Sequence, residues 1–344
     1  MNGSLHLSFQ TTLDAAPPGW DEFYRGCGRV HPYQTAGFGA WERFRGNRVA
    51  YLELVNGSVK VGQCLVTISP SRVAMWYFGP VMKASTTFSL ASAVDGLVQY
   101  LRSIGVIAIE NASTPPSYNH RPPGDELRIG LHRQTLVIDL TQPDADLQKS
   151  FDRSVRKNLR KCRERTAQFS FSEGNGKALT EYVALLAAHR KKLGFSMPPF
   201  YPNPDSVRCF AGTGSRLFVA LASLDGAPVA GLGFVLFGEL AVEVGVAQSA
   251  SYDALRLPLH DFIKAEACRA LAAAGAKIYD LAGISTQPRG AKEENIRRFK
   301  QKFSSHRVDY RALTMRFQPI QYYYVRAAAK LTRVCRAAAG LTSA

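Results

Sequence analysis

The sequence predicts an α/β protein built from two similar lobes, each a mixed, twisted sheet flanked by helices. The length of 344 residues suits two domains better than one. Hydrophobic residues make up 46% of the chain and charged residues 20%, a balance typical of proteins that bury a core. In addition, one order of elements (helix, hairpin, strand, helix, strand) occurs in both halves of the chain.

In the first half, the pattern is centred on a hairpin over residues 49–68, with Asn56-Gly57 as its tight turn. A helix is predicted over residues 89–103, because apolar residues recur there at helical spacing before Gly105. The other elements predicted in this half are helices at 20–24 and around Trp41, and strands at 74–78, 106–110 and 135–140.

The second half repeats this layout without recognisable similarity of residues. Its hairpin turns at Asp225-Gly226, and its second helix begins after Pro258, where a missing backbone N–H costs nothing. The remaining predicted elements are a helix that ends at Gly194, strands at 241–246 and 277–281, and the helix at 259–273. We interpret the repeat as a duplicated lobe.

A polar stretch with a proline, residues 139–146, predicts the boundary between the lobes. The first lobe is predicted to contain residues 1–141 plus 304–344, and the second to contain residues 142–303. The C-terminal strand (309–317) and helix (322–335) are assigned to the first lobe because the second is complete without them.

The charge is strongly positive, with 43 Lys and Arg against 27 Asp and Glu and a net charge of +16. The cations cluster at 150–165, 289–302 and 325–344. Such a field attracts phosphate-rich partners, nucleic acid first and an anionic membrane surface second. The alternative for any one cluster is a solvated face.

The six cysteines form no Cys-x-x-Cys pair, and the N-terminus does not resemble a secretion signal. These observations predict reduced thiols in a cytoplasmic protein. The seven histidines lack metal-binding spacing, so neither a metal nor a cofactor is expected. No apolar run reaches the roughly 18 residues that a transmembrane helix needs. A monomer with at most peripheral membrane contact is expected.

The first basic cluster predicts a helix over residues 152–165 whose Val155, Leu159 and Cys162 face the core. The rest of its circumference is cationic, which suits contact with a nucleic-acid backbone, since guanidinium groups match phosphates. The candidate phosphate-binding residues are Arg153, Arg156, Lys157, Arg160 and Lys161.

The second basic cluster follows a strand end that enters a turn of small residues, with Asp280 and Gly283 as candidate cleft residues. A short helix then carries Ile296, Phe299 and Phe303 on one apolar face. Lys300 lies beside this face, where an ammonium could hold a carboxylate or a developing oxyanion.

Five segments together resemble the FemABX peptidyltransferases in order and spacing, across nearly the whole chain. They are YQTAGF (33–38), YFGPVM (77–82), SFDRSVRKNLRK (150–161), DLAGI (280–284) and FKQKF (299–303). The resemblance implies two GNAT-like lobes that transfer an aminoacyl group from charged tRNA to the amine of a peptide or peptide-like acceptor. Family acceptors are peptidoglycan-precursor peptides or the peptide parts of antibiotics. The second lobe would then be the donor side and the first lobe the acceptor side.

The resemblance also implies residue roles. Lys300 corresponds to the lysine that stabilises charge at the aminoacyl ester, and Phe299 to the aromatic residue beside the terminal adenosine of the tRNA. Glu110 corresponds to an acidic residue that positions or deprotonates the acceptor amine. Tyr77 and Gly79 lie on the loop that borders the acceptor cleft. The donor-side basic set is completed by Arg297 and Lys302.

The departures from the family concern the acceptor side. After Gly194, where some cell-wall members carry an arginine for a nucleotide diphosphate, this chain reads FSMPPFY, ending at Tyr201. The expected lysine near Trp41 is absent, and Arg43 is its candidate substitute. The strand over 242–246 also lacks the tyrosines often found there. A nucleotide-linked precursor is therefore not favoured as the acceptor.

Two other functions are compatible with the sequence. A GNAT-type N-acyltransferase would use acyl-coenzyme A or another acyl donor, but the segment 248–255 lacks the glycines that cradle a pyrophosphate. A non-catalytic, basic RNA-binding protein is the second alternative. It would not need Lys300 beside an apolar helix face in a cleft.

Overall fold

The computed structural model describes residues 7–27, 31–86, 89–114, 128–174, 176–194, 197–198 and 200–338. Within these ranges, the strands form one sheet of thirteen, with helices packed on its two faces. The strands are β1 (Leu7–Leu13), β2 (Arg48–Asn56), β3 (Val59–Ile68), β4 (Val73–Met75), β5 (Val81–Met82), β6 (Ala108–Thr114), β7 (Arg128–Asp139), β8 (Gln168–Glu173), β9 (Ser215–Leu224), β10 (Ala227–Phe237), β11 (Leu240–Gln248), β12 (Ile278–Ser285) and β13 (Arg307–Arg316).

The helices of the described ranges are α1 (Trp20–Arg25), α2 (Ala36–Phe44), α3 (Leu90–Ser103), α4 (Asp144–Ser150), α5 (Arg153–Glu164), α6 (Gly176–Leu193), α7 (Pro204–Phe210), α8 (Tyr252–Leu255), α9 (Leu259–Ala273), α10 (Ala291–Gln301) and α11 (Pro319–Ala338). The predicted α/β class is confirmed. The sequence did not reveal β1, β8 and the short helices α4 and α7, whose apolar periodicity is weak.

The order of strands across the sheet repeats the same plan from each edge inwards. From one edge it is β1-β2-β3-β4-β6, and from the other β8-β9-β10-β11-β12. In each set three antiparallel pairs are followed by one parallel pair, β4 with β6 and β11 with β12. The duplication predicted from the order of elements is therefore confirmed.

The two lobes exchange their sixth strands at the centre of the sheet. β7 follows the first lobe in the chain but pairs with β12 of the second, while β13 follows the second lobe but pairs with β6 of the first. β7 and β13 also pair with each other, which makes the sheet continuous. β13, assigned to the first lobe from the sequence, pairs with β6 of that lobe, and β7, placed in the first lobe by the boundary at 141, pairs with β12 of the second, while the domain bounds stay a prediction.

The second hairpin turn lies where it was predicted, whereas the first lies one residue later than the predicted Asn56-Gly57. In the second lobe, Asp225 and Gly226 both have positive φ, 50° and 77°, as a two-residue primed turn requires. In the first lobe, β2 extends through Asn56 and the turn falls on Gly57 and Ser58, with φ of 61° at Gly57. Glycine is favoured there because it alone adopts this conformation freely.

The helices pack as their apolar periodicity predicts. Val155, Leu159 and Cys162 of α5 are buried together with α9 against the second half of the sheet. The matching core of the first lobe is formed by α3 over β3, β4 and β6. The candidate site lies in the second half of the sheet, where β11 and β12 diverge.

Candidate functional site

The parallel strands β11 and β12 diverge after only three paired positions, Leu240–Val242 with Ile278–Asp280. Beyond them β12 is irregular: its pairing with β7 shifts between Asp280 and Gly283, and Ala282 has a φ of 63°. Carbonyl groups of β12 that face the opening therefore need a donor other than a neighbouring strand. This opening in the centre of the sheet is called the β11–β12 opening below.

Lys300 provides that donor. Its Nζ donates to the carbonyl oxygens of Ala282 at 3.2 Å and Gly283 at 3.1 Å. The side chain comes from α10, which Phe299 anchors to the second-lobe core beside Phe303. The contiguous motif Phe299-Lys300 thus places the aromatic ring against the core and the ammonium in the opening.

Lys300 is surrounded by charges of both signs. Burial is the main reason that its pKa is lowered to about 8; the charge of Glu243 opposes this shift, the neighbouring ammonium of Lys264 adds to it, and Asp280 again opposes it. Because side chains alternate along a strand, Glu243 and Asp280 lie on opposite faces of the sheet. The Lys300 ammonium therefore interacts electrostatically with a carboxylate on each face. At neutral pH Lys300 is mainly protonated. Burial makes this charge unfavourable, and the ammonium can stabilise negative charge that develops beside it.

Glu243, Lys264 and Tyr279 form a buried hydrogen-bonded cluster beneath Lys300. The Lys264 ammonium donates to the Glu243 carboxylate and, at 3.2 Å, to the Tyr279 hydroxyl, which itself donates to Glu243. Burial would raise the pKa of Glu243, but the charges of Lys264 and Lys300 hold it below its usual value. Burial and the adjacent carboxylate raise the pKa of Tyr279 far above its usual value. Two cations therefore share one buried carboxylate.

Sequence reasoning missed this cluster. The one available signal was a lysine inside the apolar stretch Phe262-Ile263-Lys264-Ala265 of α9, where Lys264 is only 1% exposed. A buried lysine requires a buried acid. However, nothing local to the sequence identifies Glu243 on β11 as its partner.

Asp280 lies on the other face of β12 and is 4% exposed. Its carboxylate accepts a hydrogen bond from the Thr135 hydroxyl of the exchanged strand β7 and one from the Ala282 N–H at 2.7 Å. These bonds fix its orientation. The predicted cleft residues Asp280 and Gly283 thus do lie at an opening.

A cavity of about 330 Å³ lies between the lobes and includes Asp280 in its wall. Three of its wall residues, Phe78, Asn111 and Ala282, are non-glycine residues with φ of 53°, 51° and 63°. Such conformations are unfavourable and concentrate at functional sites. The full lining is His31, Tyr33, Met75, Tyr77, Phe78, Asn111, Ser113, Arg133, Thr135, Val242, Asp280, Ala282, Gly283, Tyr310 and Ala312, drawn from both lobes and both exchanged strands.

A second cavity of about 310 Å³ adjoins the first, and Arg133, Gly283 and Tyr310 line both. Its other residues include Arg289 and Glu293 near the start of α10. Gly283 keeps the passage open, because a Cβ there would lie 2.8 Å from the Tyr310 Oη. The two adjoining cavities form a groove in which Asp280 lines only the first cavity, Arg289 and Glu293 line only the second, and Arg133 lines both.

The basic residues predicted to bind tRNA lie on the surface of α5. Arg153, Arg156, Lys157, Arg160 and Lys161 are all exposed. Arg160 has an acidic neighbour, Glu164 at 3.7 Å, and so do the two residues that complete the predicted set: Arg297 lies 2.8 Å from Glu294, and Lys302 binds Asp261 at 3.0 and 2.9 Å. The Lys302 ammonium also lies 4.9 Å from the centre of the Phe299 ring.

The predicted acceptor residues divide into two groups. Tyr77 lines the inter-lobe cavity, and Gly79 packs so tightly that a Cβ would lie 2.8 Å from the Cys64 Sγ. Arg43 instead donates to the backbone of Asp14, and Tyr201 packs edge-on to Trp41 with ring centroids 6.3 Å apart. Neither Arg43 nor Tyr201 is among the described residues that line the cavity.

Glu110 also lies outside the described lining of the cavity. Its carboxylate accepts a hydrogen bond from the Tyr322 hydroxyl and lies 3.7 Å from the Arg326 guanidinium, both on α11. Its partners are therefore on the C-terminal helix, while the next residue, Asn111, lines the cavity. The role toward the acceptor amine stays a prediction.

The first turn of α9 contains a fixed carboxylate. Asp261 is 2% exposed and accepts hydrogen bonds from Asn158 of α5 and from Lys302. A helix N-terminus attracts anions. Here the chain's own carboxylate contributes the negative charge, which disfavours a pyrophosphate at the same place.

Within the described part of the chain, His, Cys, Asp and Glu side chains form no group of three or more suited to a metal ion. Among these residues, no helix has the length and apolarity needed to cross a bilayer.

No protein-family model matches the sequence, and no curated protein sequence matches it. The fold, in contrast, matches solved structures. FemX superimposes with a TM-score of 0.67 at 12% identity, over 91% of this chain and 99% of that one. L-PGS from Bacillus licheniformis gives 0.60 at 12% identity, over 91% and 96%. A tandem GNAT protein from the clavulanic acid biosynthesis pathway gives 0.54 at 11% identity, over 90% and 98%.

At these identities the likeness concerns the fold. It extends over nine-tenths of this chain and nearly all of each neighbour. The tandem GNAT-like fold implied by the FemABX resemblance is therefore confirmed, including the pairing of two lobes in one chain.

Proposed function

From the tandem fold shared with FemX, we propose that this protein transfers an aminoacyl group from charged tRNA to the amine of a peptide or peptide-like acceptor. The observation that carries the proposal is Lys300, whose ammonium lies in the β11–β12 opening and donates to the carbonyls of Ala282 and Gly283. A preorganised cation at this place stabilises negative charge that develops during acyl transfer.

The reaction needs no covalent enzyme intermediate. The acceptor nitrogen attacks the ester carbonyl carbon, a C–N bond forms, and the bond from carbon to the ribose oxygen breaks. The oxygen of the tetrahedral intermediate carries the negative charge that Lys300 offsets. The proton lost by the amine goes to the departing ribose hydroxyl, so the products are an amide and uncharged tRNA.

The inter-lobe cavity is the proposed acceptor site. Its wall includes the Asp280 carboxylate, which attracts an ammonium group and can accept its proton before attack. Holding the amine beside the ester makes the reaction effectively intramolecular, which contributes much of the rate. Arg133, which also lines this cavity, suits a carboxylate of the same acceptor.

The exposed cations of α5 are the proposed tRNA contact. α5 is tied to the site through Asn158, which binds Asp261, and Asp261 in turn binds Lys302 of the segment that carries Lys300. A backbone contact on α5 would therefore be in a fixed geometry relative to Lys300. Such contacts supply affinity that falls with salt.

One experiment tests both the proposed donor, charged tRNA, and the role of Lys300. The protein is incubated with tRNA charged with a radioactive amino acid and a panel of peptide amines, with and without ribonuclease. We expect amide formation that ribonuclease abolishes, and a loss of about 100-fold or more for Lys300→Ala. Lys292→Ala, in an exposed position of the same helix, is the matched control and should retain activity. Unchanged turnover in Lys300→Ala would remove Lys300 from the mechanism.

An acyl-coenzyme A donor is the second candidate, because the fold is also that of a tandem GNAT protein. Asp261 in the first turn of α9 and the absence of glycine from the segment 248–255 weigh against it. Product formed from acyl-coenzyme A that survives ribonuclease would establish this donor and exclude charged tRNA. A protein that binds tRNA but forms no product with any donor would fit the non-catalytic alternative.

A further inference from the structure

The C-terminal helix α11 presents a stripe of large apolar residues to solvent. Ile320 is 90% exposed, Tyr324 75% and Leu331 68%. With the exposed Ala327, these residues follow one another at intervals of four, three and four, which places them on a single face of the helix. Isolated exposed apolar residues are common, but an ordered stripe of them indicates a binding surface.

The other side of α11 is already packed. Tyr322 is buried against Ile107 and Ala108, and Val325 joins the same cluster. The Tyr322 hydroxyl donates to Glu110 and Arg326 approaches the same carboxylate at 3.7 Å, so the helix is also held by polar contacts. The exposed stripe is therefore the outward face of a docked helix and not a core face that lacks its partner.

The charge of this segment identifies the partner. Asp309 is the last acidic residue of the chain, and six cations follow it without any carboxylate side chain: Arg311, Arg316, Arg326, Lys330, Arg333 and Arg336. A second copy docked on the same stripe would bring two such segments together, and their like charges would oppose it. A bilayer rich in anionic phospholipid offers both an apolar interior and negative charge.

We propose that α11 docks the protein on an anionic phospholipid surface. Ile320, Tyr324 and Leu331 enter the boundary between headgroups and acyl chains, and the net positive charge of the segment is attracted to the anionic headgroups. An amphipathic helix with apolar and cationic residues binds at this depth in the plane of the interface. RNA phosphates could satisfy the cations but would leave the aliphatic part of the stripe without a partner.

α11 packs close to the strand that lines the inter-lobe cavity. Val73 and Ala108 pack against the helix. Met75 lies two residues further along β4, on the same side of the sheet as Val73, and lines the inter-lobe cavity. Docking would therefore bring the cavity close to the bilayer. That the acceptor is held at the bilayer rests on the proposed function, whereas the docking itself does not.

The test is co-sedimentation of the full chain with lipid vesicles. One set is pure phosphatidylcholine and the other contains about 30% phosphatidylglycerol, a composition with an anionic surface. We expect binding to the second set only, weakened by salt. The triple variant Ile320→Ser, Tyr324→Ser, Leu331→Ser should lose at least about tenfold in partitioning, given the apolar area removed. Val59→Ser, at a 59% exposed position on the β2–β3 hairpin, is the matched control.

Three outcomes would overturn the proposal. One is equal vesicle binding by the wild type and the triple variant, and another is equal binding to both vesicle compositions. The third is a dimer in light scattering that the triple variant abolishes, without vesicle binding, which would make a second copy the partner. Circular dichroism checks that the variants fold, and amide formation in solution tests the proposed function separately.

Discussion

The two lobes open their sheets at equivalent places but use the openings differently. In the first lobe, β4 and β6 are paired at Val73–Ala108 and Ala74–Ile109, and they meet again where the Ser113 N–H donates to the Trp76 carbonyl at 2.9 Å. In the second lobe, no strand hydrogen bond among the described residues joins β11 to β12 beyond Asp280. There, Lys300 takes the place of a neighbouring strand.

The contrast extends to the cores beneath. Under the first-lobe opening lie apolar and aromatic groups, with Trp76 and Leu97 fully buried. Under the second lie Glu243, Lys264 and Tyr279. One topology thus provides an apolar wall in one copy and a charged site in the other. The two copies thus share a topology but differ in the residues at the same structural position.

The largest expected effect comes from breaking the buried ion pair of the second lobe. Lys264→Met removes the ion-pair partner of the buried Glu243 carboxylate and should cost about 3–5 kcal/mol of unfolding free energy. Urea denaturation measures it. Leu97→Met, a size-conserving change in the equivalent helix of the first lobe, should cost less than about 1.5 kcal/mol. The double variant Lys264→Met, Glu243→Gln should recover part of the loss. Equal costs in the two lobes would contradict the contrast.

Narrowing the groove should have the next largest effect. In Gly283→Ala the new Cβ would lie 2.8 Å from the Tyr310 Oη, so the tyrosine must shift into the space shared by the two cavities. Overpacking of this kind costs about 1–3 kcal/mol. We expect a higher KM for the acceptor and an unchanged KM for charged tRNA. Gly290→Ala, whose Cβ meets nothing within 4 Å, is the control and should change neither constant.

The charge of Lys300 should make turnover and stability depend on pH in opposite directions. Since burial lowers its pKa to about 8, the cation is present below pH 8 and is lost above it, so turnover should fall there. Stability should move the other way. Between pH 8 and the ordinary lysine pKa of about 10.4, the unfolded chain binds the proton and the folded chain does not, so unfolding becomes harder as pH rises.

Two variants separate these effects from other titrations. Lys300→Arg keeps its charge, so its residual turnover should not fall above pH 8. Lys300→Met should lack the gain in stability over the same interval in urea denaturation. A pH profile of turnover identical in wild type and Lys300→Arg would show that another group causes the decline.

The smallest effect is expected in the first lobe, for Glu110→Gln. The amide oxygen can still accept from the Tyr322 hydroxyl, and only the distant, half-exposed pairing with Arg326 is lost, worth about 0–1 kcal/mol. Turnover should change less than about twofold on that basis. A loss of tenfold or more would instead support the role toward the acceptor amine that the FemABX resemblance implies.

Many of the secondary-structure elements can be predicted from short stretches of the sequence. The hairpins at Gly57 and Asp225-Gly226 and the helices α3, α5 and α9 follow from turn residues and apolar periodicity, which are properties of neighbouring residues. Lys300 could be predicted from the sequence for the same reason, because its charge and the anchoring Phe299 of α10 lie in one contiguous motif. The short β4 was predicted less well. The strand predicted over 74–78 ends at Met75 in the structure, and Phe78, with a φ of 53°, lies in the loop that follows.

The sequence by itself determined the class, the repeat and the position of one lysine on one helix. Only the tertiary structure decided which strands are exchanged, because β7 and β13 satisfy their backbone hydrogen bonds with partners far away in the chain. It also decided the surroundings of Lys300. Glu243, Lys264 and Asp280 reach the same opening from β11, α9 and β12, and the low dielectric there makes their charges act on one another. Residue type predicts what a group can do; its neighbours in space set its charge and its energy.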